Sequence, residues 1–258
     1  MRHGKESTQK EVDFMSHPSP DQSVPKIIGS RGSHDRIIEA LKILPKGCAL
    51  DAPAGRGTLA AFMKDLGYDV YCLDVDPGLL EVDLPFECAD LNERLPYQDS
   101  FFDVVVCANA LHRIAYYRTA LREFARILKP GGVLLISVNN YANIAKRLKF
   151  LFAGSLSETN IELTHLQTIE DARANFRQAL LYPMIHHAME QAGFRIEEVR
   201  AQARRFRHYL LFPLAILAYL GSFLQSKKSV RRNQIQITRG AAINFGGKSI
   251  FIKATKTS

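Results

Sequence analysis

Three carboxylates and two glycines carry the most legible chemistry in this chain: Asp51, Asp74 and Asp90, with Gly55 and Gly57. Asp51 opens the stretch "DAPAGRGTLA", in which Gly55, Gly57 and Ala60 have the G-x-G-x-x-G/A spacing of a loop that lets a ligand approach the backbone closely. Asp74 follows at roughly the ~20-residue distance of a ribose-binding acid, so a dinucleotide site is one reading of the pattern. Two features speak against it. An acid just ahead of Gly55 gives nothing to an anionic pyrophosphate, and a further acid, Asp90, ends another strand-like run. Acids at three successive strand ends suit a ligand that offers hydroxyls, an amine and a cation. Metal chemistry has no support: Cys48, Cys72, Cys88 and Cys107 are too widely spaced for a C-x-x-C pair, and no Cys/His set has ligand spacing. The expectation is no metal site and four buried, reduced thiols in a cytoplasmic protein.

The elements that must position these acids alternate. "SHDRIIEALKIL" has apolar residues at helical spacing behind a candidate cap, Ser33, and "GCALDA" is a short apolar strand ending at Asp51. "TLAAFMKDLG" is a helix closed by Gly67, and "YDVYCLDVDP" a second buried strand. Then come "FECADL", "FFDVVVCANAL", the helix "YYRTALREFARIL" and the strand "GGVLLISVN". Such alternation implies a parallel sheet with helices on both faces, and puts the glycine loop at the carboxyl edge of its first strand, where ligands bind.

The ordered set "LDAPAGRG", "YCLDVD", "CADLNERLPYQDSFFDVVVCANALHRI" and "RILKPGGVLLIS" resembles the class I S-adenosylmethionine-dependent methyltransferases, over roughly residues 37–139. S-adenosylmethionine has the hydroxyls, amine and cation that the acids call for. The resemblance implies a Rossmann-like, seven-stranded, mostly parallel α/β sheet with helices on both faces. It implies that Asp51, Ala52, Gly55 and Gly57 surround the methionine part and that Asp74 and Val75 hold the ribose. Asp90 and Leu91 would face adenine, and Ala108 and Asn109 would close the pocket near the reacting methyl. The chain departs from the commonest pattern in two places: His112 and Arg113 stand where many relatives have Glu-His, and the stretch between Asp74 and Asp90 is too short for a full helix plus strand.

Residues 140–245 should select the acceptor. "NYANIAKRLKFLFAGSLSE" and "LTHLQTI" resemble elements of methyltransferases from cell-surface polysaccharide and lipid-linked glycan gene regions, which makes His165, with His112, a candidate catalytic residue. His186 and His187 sit within a predicted helix and rank lower. "RRFRHYLLFPLAILAYLGSFLQSKKSVRR" holds an uncharged apolar core, Tyr209 to Leu224, shorter than the ~20 residues of a spanning helix and flanked by cations on both sides. The segment 204–232 is therefore either a contact with an anionic membrane surface or a helix buried in the domain or a dimer interface. It is read as an apolar helical insertion before the last strand, residues 248–256.

With 258 residues, 47% of them hydrophobic, the chain is long enough for one elaborated domain, here residues 27–258 behind a flexible arm at 1–26. The net charge of +8 suits anionic partners. Three functions stay open at this point: methylation of a lipid-linked or membrane-proximal acceptor, most simply at oxygen; methylation of a soluble small molecule or an RNA; and a methyltransferase-like scaffold without activity. RNA is less favoured, because no aromatic and basic module accompanies the charge.

Overall fold

The computed structural model describes residues 34–155, 177–201, 212–221 and 225–257. The arm at 1–26, Ser33, His165 and the cations Arg204, Arg205 and Arg207 lie outside the described residues. The order of elements is α1 (Asp35–Ile43), β1 (Cys48–Asp51), α2 (Thr58–Asp65), β2 (Asp69–Asp74), β3 (Phe86–Cys88), β4 (Phe102–Ala108), α3 (Tyr117–Ile127) and β5 (Leu128–Asn139). There follow α4 (Ile144–Ala153), α5 (Tyr182–Gln191), β6 (Phe194–Ala201), α6 (Phe212–Gly221), three short helices α7 (Lys227–Arg232), α8 (Ile235–Thr238) and α9 (Ala241–Asn244), and β7 (Ser249–Lys256). Single 3-10 turns stand at Pro77–Leu79 and Leu111–Arg113.

The strands form one seven-stranded sheet in the order β3-β2-β1-β4-β5-β7-β6. Strand β4 shows why a near-continuous apolar run folds as a central strand: Val104 and Val106 meet Ile37, Leu41, Leu59 and Met63 of α1 and α2 on one face. Val105 and Cys107 meet Leu121 and Phe124 of α3 and Ile185 and Met189 of α5 on the other. Helix α3 answers with Tyr117, Ala120, Leu121 and Phe124 buried, the i, i+3, i+4, i+7 stripe of a helix lying on a sheet. Helix α2 ends as its sequence predicts, with Gly67 in the left-handed region at φ 89°.

The sheet is mostly parallel, as the resemblance implies, with β7 running antiparallel to both β5 and β6. The physical reason is the connection. Strand β6 ends at Ala201 and β7 begins at Ser249, opposite Asn139 at the end of β5, so the insertion leaves and re-enters the sheet at the same edge. The cysteines lie in strands as expected and are all free, but only Cys72 and Cys107 are buried; Cys48 is half-buried and Cys88 exposed, because β3 is a short edge strand. In addition, His34 and not a hydroxyl residue occupies the N-cap of α1, with no side-chain capping bond.

Candidate functional site

The chain runs outward from β1 to β3 and returns to β4 on the other side of β1, so the carboxyl ends of β1 and β4 border the crevice where such sheets bind ligands. Asp51 ends β1, Asp74 ends β2, Asp90 follows β3, and Ala108 and Asn109 finish β4. All the donor-side residues singled out by sequence therefore meet at one edge.

Asp51 is 1% exposed, and its Oδ2 has no hydrogen-bond partner among the described residues. Burial pushes its carboxyl up to about 8; a hydrogen bond from the Ala60 backbone in the first turn of α2 opposes that shift, and the nearby Asp74 adds to it. Asp74 is built into the loop rather than standing free. Its Oδ2 accepts the Gly55 N–H at 2.8 Å and its Oδ1 the Val75 N–H at 2.8 Å. The Ala54 N–H donates to the Leu73 carbonyl and the Ala52 N–H to the Val106 carbonyl, each at 2.9 Å, so the loop is fastened to β2 and β4 together. Beside Asp74, Val75 is 60% exposed, an apolar side chain left uncovered at the rim.

The two glycines do different work. At Gly55, φ is 53° and a side chain would meet nothing within 4 Å, so this stretch of backbone is open to a ligand. At Gly57, φ is 76° and a Cβ would lie 2.3 Å from Val82 Cγ2 and 2.9 Å from Leu80 Cδ1. The space beside Gly55 is therefore open, whereas that beside Gly57 is filled by the segment 80–82. That strap is fastened by the Glu81 N–H on the Arg56 carbonyl at 3.2 Å and by an Arg56–Glu81 ion pair at 2.8 Å. The short stretch between Asp74 and Asp90 thus holds a single 3-10 turn and a strap over the glycine loop in place of a helix. Nothing local in "GLLEVDL" signals that contact, because it joins side chains some twenty-five positions apart.

Asp90 has a partner of its own kind. Its Oδ1 accepts both the backbone and side-chain N–H groups of Asn92 at 2.8 Å, an Asx turn that Asn92 Oδ1 extends to the Tyr116 N–H at the start of α3. Leu91 is buried beneath it. Asn109 adopts φ 53°, and its N–H is shared by the carbonyl and hydroxyl oxygens of Ser137. Ser137 is fully buried and was not singled out by sequence, since a lone serine in an apolar strand carries no pattern.

His112 lies in the 3-10 turn after β4, and its Nδ1 is buried without a hydrogen-bond partner among the described residues. Burial, with the charges of Arg113 and Arg177, lowers the imidazole to about 4, so the ring is neutral near pH 7. His165 lies outside the described residues, so its distance from His112 is not defined. His186 is in α5, 3.3 Å from Glu190, beside a cavity of about 350 Å³ at the start of β6, the opposite edge of the sheet. Among the described residues no cluster of three or more His, Cys, Asp or Glu could hold a metal ion.

After β5 a buried amide pair fastens the start of α4 to the segment 243–247. Asn140 Nδ2 donates to the Ile243 carbonyl at 2.9 Å, Asn143 Nδ2 to the Asn140 carbonyl at 3.0 Å, and Asn143 Oδ1 caps α4 through the Lys146 N–H. Arg147 donates to the carbonyls of Ala142 and Thr238, which ties α4 to α8.

Residues 50–136 match the family described as "Methyltransferase domain". Over 107 residues the chain is 34% identical to the demethylmenaquinone methyltransferase of Renibacterium salmoninarum, covering 39% of this chain and 45% of that protein. Over 100 residues it is 35% identical to the ubiquinone/menaquinone biosynthesis C-methyltransferase UbiE of Neisseria meningitidis serogroup C, covering 34% of this chain and 40% of that protein. The chain thus spans less than half the length of these curated relatives. The crystal structure of a SAM-dependent methyltransferase from Archaeoglobus fulgidus superposes with a TM-score of 0.54 over 86% of this chain and 91% of its own, at 16% identity, which shows the fold. The match of residues 50–136 to the methyltransferase domain, the sheet order and the acid-bearing strand ends agree with one another, and the fold is that of the S-adenosylmethionine-dependent methyltransferases.

Proposed function

We propose that this chain transfers a methyl group from S-adenosylmethionine to a hydroxyl of a lipid-linked acceptor held near a membrane. The observation that carries the donor half is the opposition of Asp51 and Asp74 across a loop whose Gly55 face is open. When bound, S-adenosylmethionine supplies an electrophilic methyl group on a sulfonium sulfur. The residues present fit it. A buried carboxyl oxygen without a partner among the described residues, at Asp51, is a place for the ammonium group, with Ala52, Gly55 and Gly57 shaping the loop around it. Asp74 takes the ribose hydroxyls while continuing to hold the Gly55 N–H, and Val75 offers the ribose and base an apolar edge. Asp90 and the Leu91 backbone face the adenine, and Ala108 and Asn109 line the methionine end.

His112 orients the acceptor: a neutral imidazole whose Nδ1 has no partner among the described residues accepts a hydrogen bond from a hydroxyl and holds its oxygen in line for displacement. His165 is the second candidate for that role. The lipid part of the reading is supported by the apolar side chains left exposed on α4 and α6, both of which begin at the same sheet edge as the donor loops. Carbon methylation of a lipid quinone, suggested by the names of the relatives, is the competing reading; the low basicity of His112 favours it, because a stabilised carbon nucleophile asks less of a base.

Calorimetric titration with S-adenosylmethionine, its demethylated product and nicotinamide dinucleotides tests the donor: binding of the dinucleotide alone overturns the reading. Fractionated cell extract incubated with methyl-labelled donor tests the acceptor. Oxygen-bound label in the lipid fraction supports the proposal, and carbon-bound label there supports its competitor. Label only in soluble metabolites or RNA overturns both, and donor binding with no label in any fraction favours a scaffold.

A further inference from the structure

We infer that the exposed end of α4 and helix α6 together form a docking surface for an anionic lipid bilayer. The inference goes beyond the proposed reaction, since attachment to a bilayer does not depend on which atom is methylated. Helix α4 is anchored at its start and bare at its end. Ile144 is buried with Phe245, and Leu148 packs on the pair, whereas Phe150, Leu151 and Phe152 are 51%, 72% and 83% exposed. Three consecutive large apolar side chains facing water in an otherwise well-buried fold mark a contact surface.

Helix α6 shares the same base. Its Phe212 ring stacks on Phe245 at 6.0 Å between centroids, so both apolar elements stand on one residue. The sequence of α6, "FPLAILAYLG", has no polar face to turn to water, yet Phe212, Leu214, Ile216 and Leu220 are about half exposed. A helix apolar all round needs a partner, and beyond the Phe212–Phe245 stack about half of each of these side chains is left uncovered by the described residues. At about 1.5 Å per residue, ten residues reach about 15 Å, half of the ~30 Å hydrocarbon core, and no described helix is long and apolar enough to cross a membrane. The contact is therefore shallow, at the headgroup level.

Charge selects the occupant. Lys149 is exposed beside the α4 triad, and α7, which follows α6 in the chain, exposes Lys227, Lys228, Arg231 and Arg232 with no acidic residue among its six. A second copy of this chain would bring the same cations face to face, whereas anionic headgroups complement them.

Co-sedimentation of the purified full chain with vesicles of phosphatidylglycerol and phosphatidylcholine, against pure phosphatidylcholine, tests this. The intact chain is expected to sediment with the anionic vesicles and much less with the neutral ones. Because exposed charges are screened over ~8 Å at physiological ionic strength, raised salt should weaken the binding. The triple variant Phe150→Ser, Leu151→Ser, Phe152→Ser, whose side chains are exposed in the free chain, should bind at least about tenfold more weakly, as loss of inserted apolar area requires. Lys227→Glu with Lys228→Glu should remove the preference for anionic lipid. Equal vesicle binding by intact and triple-serine chains, or none by the intact chain, overturns the inference. So does a dimer in sedimentation equilibrium that the triple-serine substitution dissociates, which would make a second copy the occupant. Titration of the variants with S-adenosylmethionine verifies that they are folded and separates failure here from failure of the donor reading.

Discussion

Asp51 is the residue on which pH should act most visibly. Its carboxyl is raised to about 8 in the folded chain, against an ordinary value near ~3.9 when unfolded. Between those values the folded chain holds a proton that the unfolded chain has released. This contribution to stability is therefore complete below about pH 4 and lost as pH rises through about 8. The ionisable groups around it do not reverse the sign: Asp74 pushes it further up, and the thiols of Cys72 and Cys107, themselves raised to about 12 chiefly by burial, stay neutral in this window. The melting temperature of the free chain should fall across the upper part of this range, and fall less in Asp51→Asn. An ammonium or sulfonium placed beside the carboxyl favours its ionised form, so donor binding near pH 7 should release close to one proton. Titrations in buffers of different ionisation enthalpy measure that number, and a binding heat independent of buffer would mean the carboxylate is already charged. Asp74→Ala removes both the proposed ribose partner and the acceptor of the Gly55 N–H; donor affinity should fall by roughly 1.5–3 kcal/mol, read by the same titration.

The glycine loop and its strap separate two variants that look alike in sequence. Gly57→Ala drives a methyl group to 2.3 Å from Val82 at a positive φ, so it should cost stability well beyond about 1 kcal/mol and displace the strap. Gly55→Ala meets no atom and carries only the strain of its φ, about 1 kcal/mol, yet it intrudes on the side left open to the donor. Thermal unfolding should rank Gly57→Ala as the less stable chain, while donor titration should show weakened binding in Gly55→Ala even though that chain is folded. Elements such as these divide what sequence reveals from what it hides. Strands β1, β2 and β4 are legible because burial on both faces writes itself as an apolar run, and α3 because one buried stripe writes itself every three to four residues. The acids at their ends are legible for the same reason, since a charged residue closing an apolar run is a local signal. The strap at 80–82, the Ser137 hydroxyl under Asn109 and the Asn140–Asn143 amide pair are not. Each acts through partners distant in the chain, and a single polar or apolar residue in a loop has no period to betray it. His112 is an intermediate case: its position after β4 is readable, but the neutrality of its ring comes from packing and from Arg113 and Arg177.

At the scale of the molecule, β7 decides whether the sheet closes. It follows β6 in the chain but lies between β5 and β6, pairing with both along most of its length. Strand β5 can meet β6 only through it, and the helices α6 to α9 lie in the chain between β6 and β7. Four consecutive residues, Ile250, Phe251, Ile252 and, with Ser249, the first half of the strand, are buried; Phe251 reaches the α1 and α2 face, while Ile250 and Ile252 reach the α3 and α5 face. Like β4, β7 thus contributes to the cores on both sides of the sheet. A chain ending at residue 248 should leave the edges of β5 and β6 unpaired and lose cooperative unfolding. Because such a truncation removes much at once, Phe251→Ala is the more discriminating variant: it keeps every backbone hydrogen bond and deletes apolar contact on one face only. A loss of about 3–5 kcal/mol, the usual range for emptying a fully buried phenylalanine site, is expected in denaturant unfolding, with a single transition. Two separated transitions, one for each face of the sheet, would mean that β7 does not couple the cores.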